Sequence, residues 1–185
     1  MVNLCNLLIL KGPLLFVSPY NKYIYQMSIE SKTIQYLLDN DISVATAESC
    51  TGGLLASRFT SKSGISRIYQ TGLITYSDEA KVKYLKVSKS NLKRHGAVSR
   101  QICSQMCLNL HKISKCQLTF STTGIAGPGG GSRSKPVGLV YIGIYFQKNI
   151  YVEQLKFNSK FSRVQIQKGT VKQCFQMASD IIHGL

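Results

Sequence analysis

Val44-Ala45-Thr46-Ala47-Glu48-Ser49-Cys50-Thr51-Gly52-Gly53-Leu54-Leu55 begins as a short strand-like run and ends as an apolar run with helical spacing. Between the two lie a carboxylate, hydroxyl and thiol side chains, and a glycine pair. Such a junction leaves a reactive atom at a strand end and aims backbone N–H groups of a new helix at the same spot. A Ser or Thr acting only as a helix N-cap before Gly-Gly accounts for the same residues without chemistry.

Outward from this junction the chain alternates. Upstream, residues 28–40 have helical spacing, with Ser28 or Ser31 as cap and Ile29, Ile34, Leu37 and Leu38 on one side. Residues 42–47 form a first strand and 53–59 a helix. A second strand is expected at 68–76, with Ser77 capping a helix that starts Asp78-Glu79-Ala80-Lys81, acids first. Ser99 caps a longer helix to about residue 113, and 116–123 is a third strand. The longest glycine-rich loop follows, Gly124-Ile125-Ala126-Gly127-Pro128-Gly129-Gly130-Gly131-Ser132-Arg133. Residues 137–146 and 150–157 read as a hairpin turned at Lys148-Asn149, and 163–182 as a final helix. This order predicts a three-layer α/β/α sandwich on a mixed, mostly parallel sheet, closed by a C-terminal hairpin and helix. Three loops, 48–53, 76–81 and 122–131, fall at carboxyl ends of strands, where such sheets bind ligands.

With 185 residues, 44% of them hydrophobic, the chain can bury one core. Residues 1–26 fit poorly, an apolar run broken by Lys11-Gly12-Pro13 and followed by tyrosines. They read as a non-native or disordered extension, with Met27 as the true start of a single domain over 27–185. No apolar run is long enough to span a bilayer, and a secretory signal is not evident, so a cytoplasmic protein without a membrane partner is expected. The formal net charge is +15. Its lysines and arginines are dispersed and no recognition motif accompanies them, so a nucleic-acid partner is not expected. Six scattered cysteines lack C-x-x-C spacing and read as reduced, mostly buried thiols. Neither metal nor cofactor is expected.

Walker A, G-x-G-x-x-G and G-x-S-x-G sequences are absent, and His95, His111 and His183 lie away from the three loops. What remains is serine with lysine. A serine hydroxyl needs a base, and a lysine held neutral by burial can serve. Ser49 and Lys81 are the candidates, Lys81 being on a helix that directly follows a strand end. Tyr76 is placed to relay a proton or hold the leaving group, and backbone N–H groups at Gly52-Gly53 or Gly124 to bind an oxyanion. The glycine loop with Arg133 and Lys135 can cradle a phosphate.

Five segments in register carry a resemblance: Thr46-Ala47-Glu48-Ser49-Cys50-Thr51-Gly52-Gly53, Thr75-Tyr76-Ser77-Asp78-Glu79-Ala80-Lys81, His95-Gly96-Ala97-Val98-Ser99, Thr123-Gly124-Ile125-Ala126-Gly127-Pro128-Gly129-Gly130 and Lys135-Pro136-Val137-Gly138. Together they resemble the C-terminal domain of the competence/damage-inducible protein CinA, a domain that also occurs alone as a bacterial nicotinamide-nucleotide amidohydrolase. The resemblance implies an α/β/α fold, a homo-oligomer, no required metal, and hydrolysis of nicotinamide mononucleotide to nicotinate mononucleotide and ammonia. It implies Ser49 as nucleophile with Tyr76 and Lys81 handling protons. Substrate binding falls to Glu48, Thr51, Gly52 and Gly53 in the first loop, to Thr123, Gly124, Gly127 and Gly129 in the glycine loop, and to Arg133 and Arg163.

Two departures stand out. Asp78 occupies a position where many relatives have Asn. Over residues 157–165, relatives have Gly-Asp-Arg and then Val-Arg, whereas Ser159, Phe161 and Gln165 align with the glycine and the two arginines. Phosphate binding then falls to Arg163, Lys160 or Arg133. The competing expectations are a nucleotide-binding remnant without catalysis, and a basic accessory factor in DNA uptake or repair.

Overall fold

A computed structural model describes residues 27–184, so the proposed extension over 1–26 lies outside the described residues. Helix α1 (Ile29–Asp39) starts at Ser28, whose hydroxyl accepts the Ser31 N–H. Strand β1 (Val44–Glu48) follows, then α2 (Leu54–Thr60) and a 3-10 turn (Ile65–Arg67) within the polar loop. Next come β2 (Tyr69–Ile74), α3 (Asp78–Leu85), α4 (Lys89–His95) and α5 (Arg100–Ser114). Strands β3 (Leu118–Gly124), β4 (Leu139–Phe146) and β5 (Asn149–Lys156) precede α6 (Arg163–His183).

The five strands form one sheet in the order β2-β1-β3-β4-β5. β1 runs parallel to both β2 and β3, whereas β4 is antiparallel to β3 and to β5. Four strands therefore point one way and β4 the other, as the predicted mixed sandwich requires. The hairpin turn sits one residue earlier than expected. Phe146 pairs with Asn149, so Gln147 and Lys148 are the turn, both with positive φ.

Strand alternation explains the two cores. On β1, Val44 packs into the cluster with α1, α2 and α6, while Ala45 and Ala47 face the cluster with α3–α5. On β3, Leu118 and Phe120 join the first cluster. Thr119 and Ser121 point the other way, and their hydroxyls donate to the Cys107 and Cys103 carbonyls of α5 at 3.1 and 2.8 Å. Small residues on that face let α5 approach closely. Cys50, Cys103, Cys107, Cys116 and Cys174 are buried and free. Among the described residues no helix is long and apolar enough to cross a membrane.

Chain order places the cleft. From β1 the chain crosses through α2 to β2 at one edge. It then returns through α3–α5 to β3 on the other side of β1. The carboxyl end of β1 is thus the point where the strand order reverses, where open α/β sheets open a crevice.

Candidate active site

The first functional side chain is fixed by two short backbone contacts. Ser49, one residue past β1, donates its N–H to the Thr122 carbonyl at 3.0 Å. Next to it, Thr75 N–H donates to the Glu48 carbonyl at 2.8 Å. The three strand ends are thereby stitched together, and Ser49 is buried at their junction.

Lys81 comes from the first turns of α3. Ser77 caps that helix by accepting the Ala80 N–H at 3.0 Å, and Asp78 and Glu79 occupy its positive end. Lys81 is 1% exposed, an uncommon state for lysine. Its Nζ lies 3.2 Å from Ser49 Oγ and 3.0, 3.2 and 3.4 Å from the Thr75, Tyr76 and Ser77 carbonyls. Asp78 Oδ1 is 3.8 Å away. Burial pushes the Lys81 amine below the ordinary lysine value, opposed by Asp78 first among the neighbouring groups. A neutral amine in this cage donates two N–H groups to carbonyls and turns its lone pair to the serine hydroxyl.

The cleft around this pair has a volume of about 190 Å³ and is lined by Ser49, Cys50, Tyr76, Asp78, Lys81, Ala97, Val98, Thr123, Gly124, Ala126 and Arg163. Ala97 and Val98 enter between α4 and α5, held in place where Thr123 Oγ1 donates to the Ala97 carbonyl at 2.9 Å. Arg163 begins α6, whose start is fixed by a capping box between Ser162 and Gln165. Its guanidinium donates to Tyr76 Oη at 2.6 Å and to the Gly127 carbonyl at 2.9 Å. One arginine thus ties the β2–α3 loop to the glycine loop. Cys50 is buried, its thiol pushed up to about 12 by that burial, so it remains a thiol at neutral pH.

Several expected residues take other places. The Glu48 carboxylate is buried beneath the cleft and accepts four hydrogen bonds. They come from Thr51 Oγ1 at 2.6 Å and from the Gly53, Leu55 and Ala56 N–H groups at 3.0, 3.1 and 2.8 Å. Glu48 therefore caps α2 from within the fold. Neither Ser nor Thr performs that task; the N-cap residue is Gly53, at φ +99°. Thr51 spends its single proton on Glu48, so the Thr122 hydroxyl donates to Thr51 at 2.7 Å. The Gly53 N–H is occupied by Glu48 and the Gly52 N–H by the Ser49 carbonyl at 3.2 Å. Glu48 and Thr51 are thus buried beside Ser49, Gly52 is exposed, and none of the four, Gly53 included, lines the cleft. Gly124 remains at the wall. Gly127 takes part through its carbonyl, whereas Gly129, Arg133 and Lys160 are exposed and outside the lining.

Ala97 and Val98 are cleft residues to which the sequence reading gave no part in the site, whereas Cys50, Asp78 and Ala126 lie in the three expected loops but were not singled out as site residues. Tyr76 differs from expectation in detail: its backbone carbonyl grips Lys81, and its phenol is turned to Arg163. Among the described residues no group of three or more His, Cys, Asp or Glu is gathered in a way that could hold a metal ion.

The model of the CinA C-terminal domain matches residues 26–182. A competence-damage inducible protein of Clostridium novyi is 45% identical over 140 residues, which is 76% of this chain and 34% of the relative. One from Caldanaerobacter subterraneus is 42% identical over 166 residues, covering 88% of this chain and 40% of the relative. The chain thus spans little more than a third of the length of the curated relatives it matches. Among solved structures, the competence/damage inducible protein CihA of Agrobacterium tumefaciens superposes with a TM-score of 0.77 at 36% identity, covering 80% of this chain and 90% of that one. A CinA superfamily protein of Klebsiella pneumoniae superposes with a TM-score of 0.79 at 27% identity, covering 84% and 96%.

Proposed function

The chain belongs to the CinA C-terminal domain family, and from that premise we propose that it is an amidohydrolase cleaving the carboxamide of nicotinamide mononucleotide to nicotinate mononucleotide and ammonia. The observation that carries this reading is the 3.2 Å approach of Lys81 Nζ to Ser49 Oγ in a cleft walled by the glycine loop.

The chemistry proceeds in two halves. Neutral Lys81 takes the proton of Ser49 Oγ as the oxygen attacks the carboxamide carbon. The tetrahedral adduct collapses when the Lys81 ammonium returns that proton to the departing nitrogen. Ammonia leaves, and the acyl group stays on Ser49 as an ester. Water then attacks the ester carbon and gives a proton to Lys81, which passes it to Ser49 Oγ as the acid departs. Desolvation lowers the Lys81 value and so raises its neutral, proton-accepting fraction, while the three carbonyls around it stabilise the ammonium formed in each half. Arg163 supplies positive charge at the cleft for the substrate phosphate.

The test is ammonia release from nicotinamide mononucleotide by the purified chain, lost in Ser49→Ala and in Lys81→Ala. A wild-type chain that binds the nucleotide calorimetrically and never turns it over is the non-catalytic remnant instead.

A further inference from the structure

Asp78 occupies an uncommon place. It is the first residue of α3, where a carboxylate is already favoured by the helix start. Yet its side chain also lines the cleft, with Oδ1 3.8 Å from Lys81 Nζ, one helical turn on. The other groups facing Lys81 divide sharply. Cys50, from the β1–α2 loop, is a buried thiol and carries no charge at neutral pH. Tyr76, from the β2–α3 loop, gives Lys81 its carbonyl and turns its phenol to Arg163. Arg163, from α6, brings a second cation to the cleft. Glu79, beside Asp78, is exposed and does not line the cleft. Asp78 is therefore the one acid in the lining.

We propose that Asp78 is a positioning residue of this site: its carboxylate sets the pH range over which Lys81 acts as a base and steadies the ammonium formed when Lys81 takes the Ser49 proton. The inference rests on the serine–lysine reading above. Burial lowers the proton affinity of Lys81 and so weakens it as a base. An acid one turn away restores basicity without desolvating a second charge, because the Asp78 side chain is 55% exposed. Half in water, Asp78 opposes the desolvation of Lys81 through a partly screened attraction.

The consequence is a crossing of rate profiles. Without the Asp78 charge, Lys81 loses its proton at lower pH and is a weaker base once neutral. Asp78→Asn is then faster than wild type below the rising limb and slower on the plateau. A purely structural loss lowers the rate at every pH.

The experiment is a ¹³Cε-lysine NMR titration of the whole chain, with the Lys81 resonance assigned by its loss in Lys81→Met. The expected result is a Lys81 midpoint lowered by about half to one pH unit in Asp78→Asn, and by less in Glu79→Gln. Asp78→Ser, which keeps a helix-start residue, gives the same direction if Asp78→Asn folds poorly. A midpoint unmoved by loss of Asp78, or moved as far by Glu79→Gln, overturns the proposal. Because the titration needs no turnover, it stands apart from the amidase reading. Failure of ammonia release with a shifted midpoint rejects the reaction and keeps the electrostatic coupling.

Discussion

Lys81 Nζ and Ser49 Oγ meet at 3.2 Å from two different strand ends, thirty-two positions apart in sequence. Neither element would hold this contact alone. The carbonyls of Thr75, Tyr76 and Ser77 fix the amine, and the Thr122 carbonyl fixes the backbone of the serine. Removing either partner therefore removes the reaction. Ser49→Ala lowers ammonia release by at least about 10³-fold, and Lys81→Met by about 10²- to 10⁴-fold, the usual worth of a positioned base. Nucleotide affinity, read by calorimetry, changes far less in both variants.

The pH dependence follows from burial. The Lys81 value is lowered in the folded chain, so activity rises with pH along a limb set below the ordinary lysine value of about 10.4. The sign for stability is the same. Between the folded and unfolded values the unfolded chain binds more protons, so stability rises with pH across that window. The cost of burying the charged amine is full below the folded value and gone above the unfolded one. Denaturant melts as a function of pH check this. Lys81→Met flattens the curve in that window, and a slope that persists in the variant belongs to another group.

Glu48 answers to stability first. All four of its hydrogen-bond partners are donors, and three are backbone N–H groups at the start of α2. Glu48→Gln places an amide NH₂ against at least one of them. Loss of charge-assisted bonds at a buried site predicts a destabilisation of about 2–4 kcal/mol, measured as a lowered urea midpoint at unchanged slope. The folded fraction keeps its KM, because the Glu48 side chain lies below the cleft. A variant as stable as wild type with a raised KM would return Glu48 to substrate binding.

The placement of Glu48 was open to sequence reasoning through strand alternation. Thr46 and Glu48 share one face of β1 and Ala47 and Ser49 the other, so consecutive residues at a strand end cannot both face the α3 side. Three helix starts were legible from a local signature, since Ser28, Ser77 and Ser99 cap the helices that follow them, whereas Ser49 and Lys81 were paired only by elimination of other chemistries. Ala97 and Val98 were not legible as cleft wall. Small apolar residues between two helices carry no local sign of what they face, and it is the Thr123–Ala97 bond, with Lys135 donating to the His95 carbonyl, that brings them to the glycine loop. The hairpin turn slipped by one residue because Asn149 is a favoured turn residue, whereas the register puts Gln147 and Lys148 in the left-handed conformation.

The proposed binding of an anionic substrate predicts its largest effect at Arg163, the arginine that lines the cleft. Arg133 and Lys160, the other two candidate cations, are exposed and outside the cleft lining. Arg163 is half-buried, and its guanidinium donates to two neutral acceptors, Tyr76 Oη and the Gly127 carbonyl, so its positive charge has no carboxylate partner in those bonds. Arg163→Ala raises KM for the nucleotide by about 10- to 100-fold, the worth of one or two charged hydrogen bonds, with a smaller change in kcat. Arg163→Lys recovers little, because one ammonium cannot span both Tyr76 and Gly127 while also meeting a phosphate. Tyr76→Phe separates the two tasks of that residue. It removes the phenol held by Arg163 and leaves the carbonyl that holds Lys81. A rise in KM alone in Tyr76→Phe assigns the phenol to binding, whereas a fall in kcat with unchanged KM assigns it to proton transfer.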